Sequence, residues 1–130
     1  MHVDGGARGN PGPAAVGVVV TDDDGEELAE KGRYIGEATN NVAEYRGLLL
    51  GLELARSLGA DEVEVINDSE LVARQIGGQY KVKNAALRPL FDEAMAALRG
   101  FERWSVRNVP REQNTRADGL VNQTLDARAG

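Results

Sequence analysis

The chain contains no cysteine. Disulfides and thiolate metal sites are therefore excluded, and hard metals with oxygen ligands remain open. Histidine is nearly as scarce: the single one, His2, sits on an opening strand and reads as structural. No apolar run approaches the roughly 20 residues of a membrane span, and the start shows no charged-then-apolar signal layout. A soluble cytoplasmic protein with no membrane partner is the expectation. Basic charge is also in deficit, with 15 Lys and Arg against 21 Asp and Glu and a net charge of −6. That argues against a nucleic-acid binder relying on its overall field. The argument reverses locally if several acids share one site, because two divalent ions there would bring the net charge to about −2. Internal repeats, low-complexity tracts and interdomain linkers are absent as well. The 130 residues, 42% hydrophobic and 28% charged, fit one domain with a sizeable core.

The longest periodic stretch runs from Thr39 to Gly59. At 100° per residue, Leu48, Gly51, Leu52, Leu54, Ala55 and Leu58 share one face of a helix, and Arg46, Glu53 and Ser57 lie opposite. Asn40 or Asn41 can cap its start and Gly59 its end. Glu44 breaks the apolar face. Two readings stand: a carboxylate aimed at a cation beneath the helix, or an acid in the early turns favoured by the helix dipole and reaching water.

Before this helix, Met1 to Val3 reads as a strand stub running into Asp4 and a Gly/Pro-rich turn, GGARGNPGP. Ala14 to Thr21 reads as a central strand, DDDG as a hairpin turn, and Glu26 to Ile35 as a third strand. After the helix come a short strand, Glu62 to Ile66, and NDSELVARQI, a helix in which Asp68 or Ser69 can serve as N-cap. Gly77 to Asn84 is a polar loop carrying Lys81 and Lys83. An Ala/Leu-rich helix from Ala85 or Pro89 to Arg99 follows, then a half-exposed strand over Phe101 to Val109 with Trp104 in the core, and a last helix from about Arg116 to Ala127. Taken singly, Asp4 is as good a turn-stabilising residue as a functional one, and Asp68 is an ordinary cap.

The order βββαβα(α)βα implies an α/β domain with a five-stranded mixed sheet: three antiparallel strands, then parallel βαβ crossovers. In such a sheet Asp4, Glu44, Asp68 and Asp118 can meet at one end. Four carboxylates without cations raise one another's pKa, and Mg²⁺ or Mn²⁺ is the economical resolution.

Four segments, DGGARGNPGP at 4–13, TNNVAEYRGLLLGLELA at 39–55, NDSELVARQI at 67–76 and VPREQNTRADGLVNQTLD at 109–126, resemble the signature blocks of type 1 ribonuclease H, in order and at fitting intervals. One such block is a weak motif; four in register are specific. The resemblance implies a ribonuclease H-like fold and a site in which Asp4, Glu44, Asp68 and Asp118 hold two Mg²⁺ or Mn²⁺ ions. It also implies hydrolysis of the RNA strand of an RNA/DNA hybrid, leaving 3′-hydroxyl and 5′-phosphate ends, by a protein expected to be a monomer. By the same resemblance Asn10, Thr39 and Asn40 line the substrate groove. Lys81 and Lys83 either contact the DNA backbone or belong to a solvated loop.

Three departures from the family pattern carry expectations of their own. The strand before Asp4 is short, which predicts a weakened sheet edge. Many relatives insert a basic helical protrusion near residues 78–90 where this chain has only KVKN, so hybrid affinity should be modest and steeply salt-dependent. Asn108 stands where many members carry a loop histidine, and Glu112 is a candidate auxiliary acid in its place. Two other functions stay open: a catalytically weak or inactive hybrid-binding module, and a nuclease of this fold acting on DNA junctions or free RNA.

Overall fold

The computed structural model describes residues 1–129. Five strands, β1 (His2–Ala7), β2 (Gly12–Thr21), β3 (Glu27–Ala38), β4 (Glu62–Asn67) and β5 (Arg103–Asn108), form one sheet in the order β3-β2-β1-β4-β5. β1, β2 and β3 pair antiparallel, while β4 runs parallel to both β1 and β5. The helices are α1 (Asn40–Ser57), α2 (Glu70–Ile76), α3 (Arg88–Arg99) and α4 (Thr115–Ala129), with a 3₁₀ turn at Arg111–Gln113. This is the mixed sheet expected from the element order. None of the described helices is long and apolar enough to cross a membrane.

Asp4 does not end its strand. β1 continues through Gly5, Gly6 and Ala7, which pair with Val16, Ala15 and Ala14, so Asp4 lies mid-strand opposite Gly17. Glycine disfavours strands locally, but here packing overrides propensity: a Cβ on Gly5 would lie 2.0 Å from the Ala43 carbonyl oxygen. β1 is also the central strand, with β2 on one side and β4 on the other. The weakened edge predicted from its short lead-in does not exist.

α1, α2 and α3 cover one face around Val16, Val18, Leu48, Leu52, Val65 and Leu98, all buried, and Trp104 packs partly buried against this core as expected. α4 covers the other face, where Ala15, Val121 and Leu125 form a smaller cluster beside Tyr34. Thr39, rather than either asparagine, caps α1, its hydroxyl accepting from the Val42 N–H at 3.2 Å. Ser69 caps α2 in the same way, which leaves Asp68 free of that duty. Leu58, expected on the buried face, is 47% exposed because α1 ends at Ser57 and the chain turns away through Gly59 at φ +81°. Pro89 falls in the first turn of α3, where its missing N–H costs nothing.

Candidate active site

β1 and β4 bridge only at His2 and Ile66 and then part, so the sheet opens beyond this point at the carboxyl end of β4. A gap where the order of the strands reverses, as it does between β1 and β4, is the ordinary location of a ligand site in open α/β sheets. Asp4 faces this gap from β1. Val3 and Gly5, its neighbours, turn toward α1, and pleating places Asp4 on the opposite side of the strand.

Each remaining acid arrives on a separate element. Asp68 follows β4 directly. Asn67 holds the backbone there, its side-chain oxygen accepting from the Ser69 N–H at 2.9 Å and its carbonyl from the Val109 N–H at 2.8 Å. Glu44 comes from the second turn of α1, brought close by two glycines in backbone contact across the helix and strand. A Cβ on Gly47 would lie 2.5 Å from the Asp4 carbonyl oxygen, the counterpart of Gly5 against Ala43. Gly51, one turn farther along α1, faces the Met1 and Val3 side chains away from the site. Asp118 stands in the first turn of α4, where the helix dipole favours its charge. Buried Asn114 fastens that turn to β1 by donating from Nδ2 to the Val3 carbonyl at 2.9 Å, and its own carbonyl accepts from the Asp118 N–H at 3.1 Å.

All four acids line one cleft of about 450 Å³, together with Asn40, Arg8, Arg111 and Asn122. Burial and then the neighbouring Asp68 carboxylate push Asp4 up to about 8. Glu44 is also raised, chiefly by burial, against a hydrogen bond from Ser69 that favours its charged form. Its Oε2 is buried with no hydrogen-bond partner. A buried carboxylate oxygen without a donor is costly unless a cation meets it, so the donor set fits a hard divalent ion. As the side chains stand, no three of the described acids close around a single point, so an ion held here would have to draw them inward.

The other expected residues divide. Asn40 lines the cleft, and its side-chain oxygen accepts from the Ala7 N–H at 2.9 Å, while Asn10 accepts from the Asn40 N–H at 3.0 Å. The pair thereby locks the β1–β2 turn to the start of α1. Thr39 spends its hydroxyl on the helix cap. Lys81, Lys83 and Glu112 are exposed and do not line the cleft. Asn108 is not on a loop: it closes β5, its side chain donating to the Asn67 carbonyl at 3.5 Å. The loop side chain that does approach the acids is Arg111, with Nε 3.8 Å from Asp68 Oδ2. Asn67, Arg111 and Asn114 were not singled out from sequence. Asn67 abuts the Asp-Ser pair and carried a signal by position; the other two carried none.

The acids, on the central strand, just past the parallel strand beside it and on two helices, sit together at the open end of an α/β sheet, and comparison with known proteins gives the family. A family described as reverse transcriptase-like matches residues 2–124. The bifunctional protein Rv2228c of Mycobacterium tuberculosis is 51% identical over 99% of this chain. Ribonuclease HI of Halobacterium salinarum is 47% identical over 96% of it, and the crystal structure of that protein superposes with a TM-score of 0.95, covering 97% of this chain and 96% of the other. LC11-RNase H1, whose structure was solved in complex with an RNA/DNA hybrid, is 46% identical with a TM-score of 0.94, covering 99% and 97%. The chain belongs to the ribonuclease H family. It spans 36% of the length of Rv2228c and 63% of that of the Halobacterium protein.

Proposed function

We propose that this chain is a metal-dependent endoribonuclease that hydrolyses the RNA strand of RNA/DNA hybrids, leaving 3′-hydroxyl and 5′-phosphate ends. The observation that carries the proposal is the convergence of Asp4, Glu44, Asp68 and Asp118 on one cleft, with Glu44 Oε2 buried without a donor. The hybrid bound by LC11-RNase H1 supports the choice of substrate. Asp4, Glu44, Asp68 and Asp118 would hold two Mg²⁺ or Mn²⁺ ions, with Asp4 and Asp68 in the shared or central role. When bound, such ions activate the attacking water and stabilise the leaving oxygen. The chain's own part is orientation. Asn67 and Ser69 set the Asp68 backbone, Asn114 holds Asp118 against β1, and the paired glycines hold Glu44 beside Asp4. Asn40, whose side-chain N–H₂ group is uncommitted, faces the cleft as a donor for a ribose 2′-hydroxyl, the group that distinguishes RNA from DNA.

Labelled RNA/DNA hybrid, RNA duplex and DNA duplex incubated with the protein and Mg²⁺ or Mn²⁺ test this. Cleavage of the RNA in the hybrid alone is expected, and it should disappear with EDTA or Asp68→Asn. Hybrid binding without metal-dependent cutting would instead favour the non-catalytic binding module.

A further inference from the structure

Away from the acidic cleft, a groove of about 480 Å³ runs between α1, α3 and the edge strand β3. Its volume lies within the range of built ligand sites, roughly 300–1,000 Å³. Ile35, Leu49, Leu90 and Phe101 supply an apolar floor, and Arg33, Arg46 and Arg56 stand over it. The arginines are distinctive in their lack of company. Seven of the twelve arginines in the chain are paired with acids and Arg128 stacks on Tyr34. Among the described residues only Arg33, Arg46, Arg56 and Arg99 have neither, and three of those four converge here. In an acidic protein, unpaired guanidiniums over a floor of buried and half-buried apolar side chains are a surface complementary to an anionic, partly apolar partner.

The groove also discriminates among anionic partners. Glu53 and Glu93 lie on its wall among the arginines. A phosphate backbone, with a charge at every unit, would meet them as well as the arginines. A peptide can place its acids at the arginines and apolar side chains between. Arg46 and Arg56 lie ten residues apart on α1, about 15 Å by helical rise, which an extended segment of about five residues spans.

We infer that this groove docks a short acidic segment of a partner protein, with Asp or Glu interleaved with Leu- or Phe-sized side chains. The inference is independent of the chemistry proposed for the cleft. It is tested by fluorescence anisotropy with a labelled pool of heptapeptides alternating Asp or Glu with Leu or Phe, against the same pool carrying Lys and Arg instead. The acidic pool should bind. Binding should weaken at least about tenfold in Arg33→Glu/Arg56→Glu and be retained in Arg33→Lys/Arg56→Lys, while all three proteins melt alike and cleave hybrid at the same rate. Absence of binding to the acidic pool, equal binding of the basic pool, or binding unchanged by charge reversal overturns the inference. So does displacement of the peptides by a short RNA/DNA duplex whose own affinity falls on charge reversal, which would make the groove part of a nucleic-acid face.

Discussion

Replacing Asp4 by Asn should stabilise the metal-free protein at pH 8 while abolishing its response to metal. Asp4 is raised from 3.8 to about 8 by burial and by Asp68, so the folded state holds a proton that the unfolded chain releases above pH 4. The stability tied to that proton is fully present below about pH 4 and is lost as the pH rises toward 8, because the folded state must then hold the proton against solution or bury a second charge beside Asp68. At ~1.4 kcal/mol per pH unit even a part of that shift amounts to about 2 kcal/mol, or roughly 6–8 °C in melting temperature for a domain of this size. Asn keeps the shape of the side chain and carries no charge to bury. In thermal melts with EDTA, the natural protein should lose stability from pH 5 to 8, and Asp4→Asn should be flatter with pH and more stable at pH 8. Added Mg²⁺ should raise the melting temperature of the natural protein most at pH 8 and leave the variant unmoved. A variant less stable than the natural protein at pH 8 in EDTA would refute the reasoning, because it would mean that the Asp4 charge is already compensated within the protein.

Three further substitutions probe the parts that hold the acids. Gly47→Ala must move α1 away from β1 by about 0.8 Å, the gap between 2.5 Å and the ~3.3 Å of an unstrained carbon–oxygen contact. It should cost about 1–3 kcal/mol by overpacking and reduce metal affinity in calorimetry, whereas Gly51→Ala, which meets the mobile end of Met1 as well as Val3, should affect melting more than metal affinity. Asn114→Ala leaves the buried Val3 carbonyl without its donor and should cost about 1–3 kcal/mol in denaturant melts, with a fall in activity that saturating Mg²⁺ does not restore. Arg111→Ala should leave the melting temperature within a degree or two, its side chain being 80% exposed, yet lower kcat/KM on hybrid by about tenfold through loss of the charge beside Asp68; unchanged kinetics would remove Arg111 from the site.

The order of elements and the mixed sheet were legible in the sequence because they rest on strong local signals, whereas the four acids stood out only through the resemblance of four segments taken together, Asp4 and Asp68 reading singly as ordinary turn and cap residues. The apolar period placed α1 and the β-branched run placed β2. The errors have one physical source, which is that long-range packing decides what local propensity cannot. Gly5 and Gly6 read as a turn because glycine resists strands, yet they are strand because α1 lies directly on them. Leu58 read as core because the period continued through it, and a helix end one residue earlier turned it outward. Asn114 looks like any polar loop residue, and only a partner 111 positions away makes it structural.

The same distinction explains how an acidic chain can assemble an acidic site. The four carboxylates are brought together by contacts that do not depend on charge: the close backbone approaches of Gly5 to Ala43 and Gly47 to Asp4, and the side-chain hydrogen bonds of Asn67 to Ser69 and Asn114 to Val3. The core around Leu48, Leu52 and Leu98 supplies the energy that holds these contacts against repulsion among the acids. Part of that repulsion persists in the folded protein as the raised Asp4 and the donorless oxygen of Glu44. A divalent ion bound there would relieve both, so its affinity should depend on how rigidly the glycine contacts prevent the acids from moving apart. Metal affinity should therefore fall in step with the displacement of α1 when Gly47 is enlarged, even where the acids themselves are untouched.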